Sequence, residues 1–158
     1  MRTRVWLAGS QFGWTRRPSG GGMKVVAVDD SKQFQRSLTR LLSTVGGVAI
    51  VGYAVDVDSA HKLIDDTEPH VVVLDIELRG GARGIDVLRY VAREHPPMKV
   101  VVLSNLNLPA LRRTYLEAGA EAYFDKSMEF EQARDWIAAC ARSAADGAES
   151  SGANSEVR

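Results

Sequence analysis

Four polar groupings in this chain of 158 residues stand where chemistry could be done: Asp29–Asp30, Asp75, Ser104–Asn105 and Asp125–Lys126. Each lies at the end of a short apolar run. Taken singly, each has an ordinary structural use, because an aspartate after a strand caps a turn or a helix and a lone serine or lysine is surface polarity. Taken together they do not reduce to that. Carboxylates gathered at one place disfavour one another's ionisation, so Asp29, Asp30 and Asp75 on one rim call for a cation, and an all-oxygen donor set suits Mg2+ or Mn2+. Lys126 adds a fixed positive charge that can hold an anionic oxygen. A carboxylate, a divalent ion and an ammonium at one edge describe a phosphoryl acceptor. Asp75 would attack phosphorus as the nucleophile, give an acyl phosphate, and have its charge offset by the cations around it. Ser104, one strand over, would donate its hydroxyl to the new phosphoryl oxygens and draw the loop of Asn105 and Asn107 inward. Tyr123 would follow by changing rotamer between an exposed and an inward position, altering the face of the last two helices.

The surrounding elements must bring these groups to one rim. Valine-rich strands are predicted over Lys24–Val28, Val48–Gly52, Val71–Leu74, Lys99–Leu103 and Ala122–Phe124. Three of them are apolar throughout, as expected of strands covered on both faces in a parallel sheet. Between them lie helical patterns. The first is capped by Ser31 and buries Phe34, Leu38, Leu41, Leu42 and Val45. A second starts near Asp58, with Ala60, Leu63 and Ile64 inward, and stops before Pro69. A third runs from Ile85 to Pro96–Pro97, a fourth from Pro109 to Gly119, and a fifth from Glu129 to Arg142 with Phe130, Ala133, Ile137 and Cys140 inward. Strands alternating with helices in this way predict one doubly wound α/β domain over residues 23–142, in which ligands bind beyond the carboxyl ends of the strands.

Residues 1–22 carry four arginines and no acid and end in Pro18, Ser19 and three glycines, which reads either as a flexible leader or as residues upstream of a true translation start at Met23. Residues 143–158 are rich in Ser, Ala, Gly and small acids and are predicted to be a disordered tail. Twenty basic and twenty acidic residues give a formal charge of zero, which disfavours a clamp for nucleic acid driven by bulk charge and leaves only a local basic patch open. No apolar run is long enough to span a membrane and no signal-peptide core is present, which places the chain in the cytoplasm. The single cysteine, Cys140, can form neither an internal disulfide nor a thiolate zinc site.

The segments VVAVDDS at 25–31, VVVLDI at 71–76, KVVVLSN at 99–105 and GAEAYFDKS at 119–127, in this order, resemble the receiver domain of bacterial two-component response regulators, of the single-domain type. The resemblance implies a flavodoxin-like (βα)5 sandwich with sheet order 2-1-3-4-5. It also implies Asp75 as the phosphorylated residue, and Asp30, Asp75 and the backbone carbonyl of Glu77 as Mg2+ ligands with Asp29 in support. Ser104 would be the switch hydroxyl, Lys126 the phosphate-pairing lysine and Tyr123 the aromatic switch. The implied donor is a histidine kinase or a histidine phosphotransfer protein, and the output is a contact with a downstream protein of unknown identity. A homodimer through helix 4, strand 5 and helix 5 is a further option. Such a protein is a phosphoacceptor in two-component or phosphorelay signalling, not a metabolic enzyme. The residues after Ser127 suffice only for a last helix and a tail, so no attached DNA-binding reader, and no direct DNA binding, is expected.

Some positions depart from the family pattern. In IELRGGARGIDVL, after Asp75, no proline appears and Gly84 stands one residue farther on than the usual glycine, so the loop reads as longer, glycine-rich and mobile. Glu77 and Asn105 flank the approach of a hydrolytic water, and Ser127 replaces the frequent proline after Lys126. Two other classes remain in view. A hydrolase with an aspartyl nucleophile would need a second acid and a lid, for which no residues stand out. A receiver working without phosphorylation would usually have lost an acid or the lysine, and all are present. A dinucleotide site is disfavoured because Asp29–Asp30 occupies the turn where a glycine-rich phosphate loop would be needed.

Overall fold

In the computed structural model the described residues are 22–152, and most of the predicted leader and the end of the predicted tail lie outside them. Five strands, β1 (Met23–Val28), β2 (Val48–Ala54), β3 (Val71–Leu74), β4 (Lys99–Ser104) and β5 (Ala122–Asp125), alternate with five helices. The helices are α1 (Lys32–Leu42), α2 (Val57–Thr67), α3 (Gly84–Glu94), α4 (Pro109–Glu117) and α5 (Phe130–Gly152). The strands form one parallel sheet in the order β2-β1-β3-β4-β5. This is the flavodoxin-like arrangement that the family resemblance implies.

Burial explains the order. Every residue of β3 is buried, and β1 and β4 each have a single half-buried position, so these three need cover on both faces and occupy the centre. β2 and β5 alternate and take the edges. One face carries Ala60 and Ile64 of α2, Val87, Leu88 and Val91 of α3, and Tyr115 of α4, packed on Val26, Val72 and Val102. The other face carries Leu38 and Leu42 of α1 and Ala133, Ile137 and Cys140 of α5, packed on Val25, Val73 and Val101. Deleting a fully buried side chain such as Ile137 would cost about 2–5 kcal/mol.

Three expectations are revised. α2 is capped by Asp56 and not by Asp58: the Asp56 carboxylate accepts the Ser59 N–H at 2.8 Å and the Ser59 hydroxyl reaches back to the Asp56 N–H. This reciprocal box satisfies two end donors at once, an advantage Asp58 would not have. α5 runs past Arg142 to Gly152. Cys140 is its last buried residue among those described, so the predicted boundary marks where burial ends, and an alanine-rich sequence keeps the helix going beyond it. The loop after Asp75, expected to be mobile, is pinned on both sides. Ile76 and Leu78 are buried, the Arg79 N–H donates to the Val55 carbonyl at 3.1 Å, and Glu77 bridges Arg83 antiparallel, closed by Leu78 N–H to Ala82 and Gly84 N–H to Ile76. Gly80 and Gly81 take positive φ at its tip, a conformation that leaves few other residues suitable there.

Candidate functional site

The site sits where strand order reverses, beyond the carboxyl ends of β1 and β3. Its residues are held by the sheet itself. The Asp29 N–H donates to the Ala54 carbonyl at 2.9 Å, the Asp75 N–H to the Val28 carbonyl at 2.9 Å and the Lys126 N–H to the Ser104 carbonyl at 3.0 Å. The parallel ladder thus continues one residue past each strand, and the functional side chains leave from backbone that cannot drift.

Asp29 is buried, with 1% of its surface exposed, and both of its carboxylate oxygens are engaged. One accepts the Ser31 N–H at 2.8 Å and the other accepts from Lys126 Nζ at 2.5 Å. Ser31 is itself the N-cap of α1, accepting the Phe34 N–H, and Gln35 of α1 donates its amide to the Asp29 carbonyl at 2.9 Å. The same lysine reaches Asp75 Oδ2 at 3.0 Å, and the other Asp75 oxygen accepts its neighbour's Ile76 N–H at 2.7 Å. Burial pushes the Asp75 carboxyl above the ordinary carboxylate range and Asp29 adds to this, while Lys126 opposes it. Asp30 is exposed at the mouth.

One oxygen from each of Asp29, Asp30 and Asp75 lies within 4.8 Å of the others. Three carboxylates against one ammonium leave two negative charges without a compensating partner, and oxygen donors at this spacing, with one of them open to solvent, fit a hard divalent cation. Glu77 is exposed, and both bonds that close its bridge to Arg83 are made by flanking residues, so its carbonyl stands outside that pairing.

Ser104 and Tyr123 meet at a single residue, Leu106. The Ser104 oxygen, buried at the end of β4, accepts the Leu106 N–H at 3.0 Å, and the carbonyl of Leu106 accepts the Tyr123 hydroxyl. Tyr123 is 2% exposed, so its ring is in the inward position, where burial pushes its hydroxyl above the ordinary value. Arg112 of α4 closes over it, donating to the Tyr123 carbonyl at 2.6 Å with its guanidinium 5.5 Å from the ring centroid. The adjacent Arg113 is exposed. Asn105 is exposed, its side-chain oxygen 3.5 Å from the Ser127 hydroxyl. Asp125 turns the chain after β5 by accepting the N–H groups of Ser127 and Met128.

Two site residues carry no sequence signal of their role. Phe34, predicted as core, lies with its ring under the Lys126 ammonium, 4.2 Å from centroid to Nζ. Gly84 opens α3 directly against Asp75: a Cβ there would fall 2.2 Å from the Asp75 carbonyl oxygen. Its place near Asp75 is visible in the sequence, but the close approach that requires glycine is not.

Comparison with known proteins agrees with this arrangement. The response regulator receiver domain family matches residues 25–138. The response regulator GacA of Pseudomonas aeruginosa is 30% identical over 110 residues, covering 70% of this chain and 51% of that protein. Protein-glutamate methylesterase/protein-glutamine glutaminase 2 of Vibrio vulnificus is 35% identical over 106 residues, which cover 66% of this chain and 30% of the relative. Among solved structures, the signal receiver domain of the putative response regulator NarL from Mycobacterium tuberculosis superposes with a TM-score of 0.69 at 30% identity, covering 77% of this chain and 97% of that one. The chain spans about half the length of the GacA proteins it matches.

Proposed function

The chain belongs to the response regulator receiver domain family, and from that premise we propose that it takes a phosphoryl group from a phosphohistidine onto Asp75 and signals through a protein surface. The observation that carries this reading is the Lys126 ammonium, bonded to Asp29 at 2.5 Å and Asp75 at 3.0 Å, beside three carboxylates that share one small volume. An Asp75 oxygen forms the new P–O bond as the P–N bond to the donor imidazole breaks, and the electron pair stays on that nitrogen. Lys126 is placed to follow the negative charge from the carboxylate to the phosphoryl oxygens. Asp30, Asp75 and the Glu77 carbonyl, supported by Asp29, would hold Mg2+ or Mn2+, which supplies further positive charge against those oxygens. As the Ser104 hydroxyl turns to donate to the phosphoryl group, its contact with the Leu106 N–H would change, and this would shift the residue whose carbonyl holds the Tyr123 hydroxyl. Phosphorylation is thereby read out on the face of α4, β5 and α5.

The donor is a histidine kinase or histidine phosphotransfer protein in the cytoplasm. That face, where Met128 and Leu108 are 81% and 59% exposed, serves a downstream protein or a second copy of the chain. Intact-protein mass after incubation with acetyl phosphate and Mg2+ tests the acceptor chemistry. Wild type should gain one phosphoryl group, about 80 Da, and lose the gain in EDTA, whereas Asp75→Asn should fold and gain nothing. Stoichiometric labelling of the Asp75→Asn protein would overturn the assignment.

A further inference from the structure

The Lys126 ammonium is held on three sides by residues from three different elements. Two of its three N–H donors go to carboxylates, Asp29 after β1 and Asp75 after β3. The third side is the face of Phe34, on the first turn of α1, with Nζ 4.2 Å from the ring centroid. Phe34 does not stand alone. Its ring packs at 5.8 Å, tilted by 57°, on Phe130 at the start of α5, and both rings lie against the core cluster of that sheet face. α1 thus closes over the lysine with the Phe34 ring, which α5 backs through Phe130, and the Lys126 side chain is only 10% exposed.

A ring does something here that a further acid would not. An aromatic face attracts a cation through its quadrupole but carries no net charge and accepts no strong hydrogen bond. It can hold the ammonium in place without competing with an incoming phosphoryl group for the N–H donors. A third carboxylate would bind the lysine more tightly and would have to be displaced by the anion. We propose that Phe34 is a positioning residue for phosphoryl transfer: its ring fixes the Lys126 ammonium between Asp29 and Asp75 so that it already stands where charge develops on the phosphoryl oxygens. The inference rests on the phosphoacceptor reading and adds to it a residue that never touches the reacting atoms.

Four full-length proteins test it: wild type, Phe34→Leu, Phe34→Tyr and Phe34→Trp. For each, the single-turnover rate of Asp75 phosphorylation by acetyl phosphate is measured at saturating Mg2+, and Mg2+ affinity is measured separately by calorimetry. Leucine keeps an apolar side chain of similar reach and removes the π face, so the rate should fall by about three- to tenfold, the scale of a partly desolvated cation–π contact. Mg2+ affinity should stay within about twofold, because Asp29, Asp30 and Asp75 are untouched. Tyrosine or tryptophan should recover most of the rate. An unchanged rate in Phe34→Leu overturns the inference. So does an equal loss in all three variants, or a parallel loss of Mg2+ affinity, since each would mean that the residue only packs. Wild type that takes up no phosphoryl group on Asp75 would instead overturn the phosphoacceptor reading itself, so the two failures are told apart.

Discussion

Gly84 acts on the site by having no side chain. Added to the backbone, its Cβ would lie 2.2 Å from the Asp75 carbonyl oxygen and 3.0 Å from the Ile76 Cα, and backbone atoms cannot rotate out of the way. Gly84→Ala is therefore expected to push α3 away from the end of β3, to cost about 1–3 kcal/mol in urea denaturation, and to slow Asp75 phosphorylation at the same time. A variant of wild-type stability and rate would show that the loop yields without strain. The residues proposed to do the chemistry were legible from sequence because each ends or follows a short apolar strand: Asp29, Asp75, Ser104 and Lys126 all fall at the predicted rim. Phe34 and Gly84 were not. A phenylalanine facing a lysine's ammonium has the same spacing as one facing the core, and a glycine needed for close approach looks like a glycine in a turn.

At the scale of elements, α2 and α3 are joined by one polar tether outside the site. Asp65 of α2 accepts the Tyr90 hydroxyl at 2.5 Å and meets His95 Nε2, at the C-cap of α3, at 2.8 Å, while His61 stacks on Tyr90 with centroids 3.9 Å apart. Burial by itself would raise the Asp65 carboxyl, but the bonds from Tyr90 and His95 outweigh it and hold the group below the usual carboxylate range. Burial, with the Asp65 bond adding to it, pushes the Tyr90 hydroxyl up to about 12. A carboxyl depressed in the folded state adds stability above its unfolded pKa, and that stability is lost as pH falls through the folded value. Asp65→Asn should thus be less stable than wild type at pH 7, with the gap closing below about pH 4. A gap of constant size down to pH 3 in paired urea titrations would mean that the tether does not depend on the charge. This tether joins residues far apart in the chain, so local patterning could not show it. The same limit applies to the pinned loop after Asp75, where the Arg79 N–H is held by the distant Val55 carbonyl, whereas the Asp56–Ser59 box that starts α2 is a local pattern that was open to reading.

Across the whole molecule, the sheet order was legible only through the family resemblance, because apolar composition does not separate edge from centre: β2, VAIVGYA, is a continuous apolar run like β3, yet it sits at an edge and alternates in burial. That order has an energetic consequence, since placing β1 beside β3 forces Asp29, Asp30 and Asp75 together whether or not a cation is bound. The fold without metal therefore carries a repulsion that the unfolded chain, with the same acids spread apart, does not. Mg2+ at 100 times its dissociation constant should stabilise the folded state by about 2.7 kcal/mol, several degrees in Tm for a domain of this size. Asp30 separates this effect from general salt screening, because it is exposed and, among the described residues, its carboxylate makes no ion pair. Asp30→Asn removes one repelling charge and one metal ligand together. Its Tm without metal should rise above that of wild type, and most of the Mg2+ increment should disappear, so that the two melting curves change order as Mg2+ is added. If both proteins instead gained equally from Mg2+, the ion would be acting on the general surface, and the three-carboxylate cluster would not be its site.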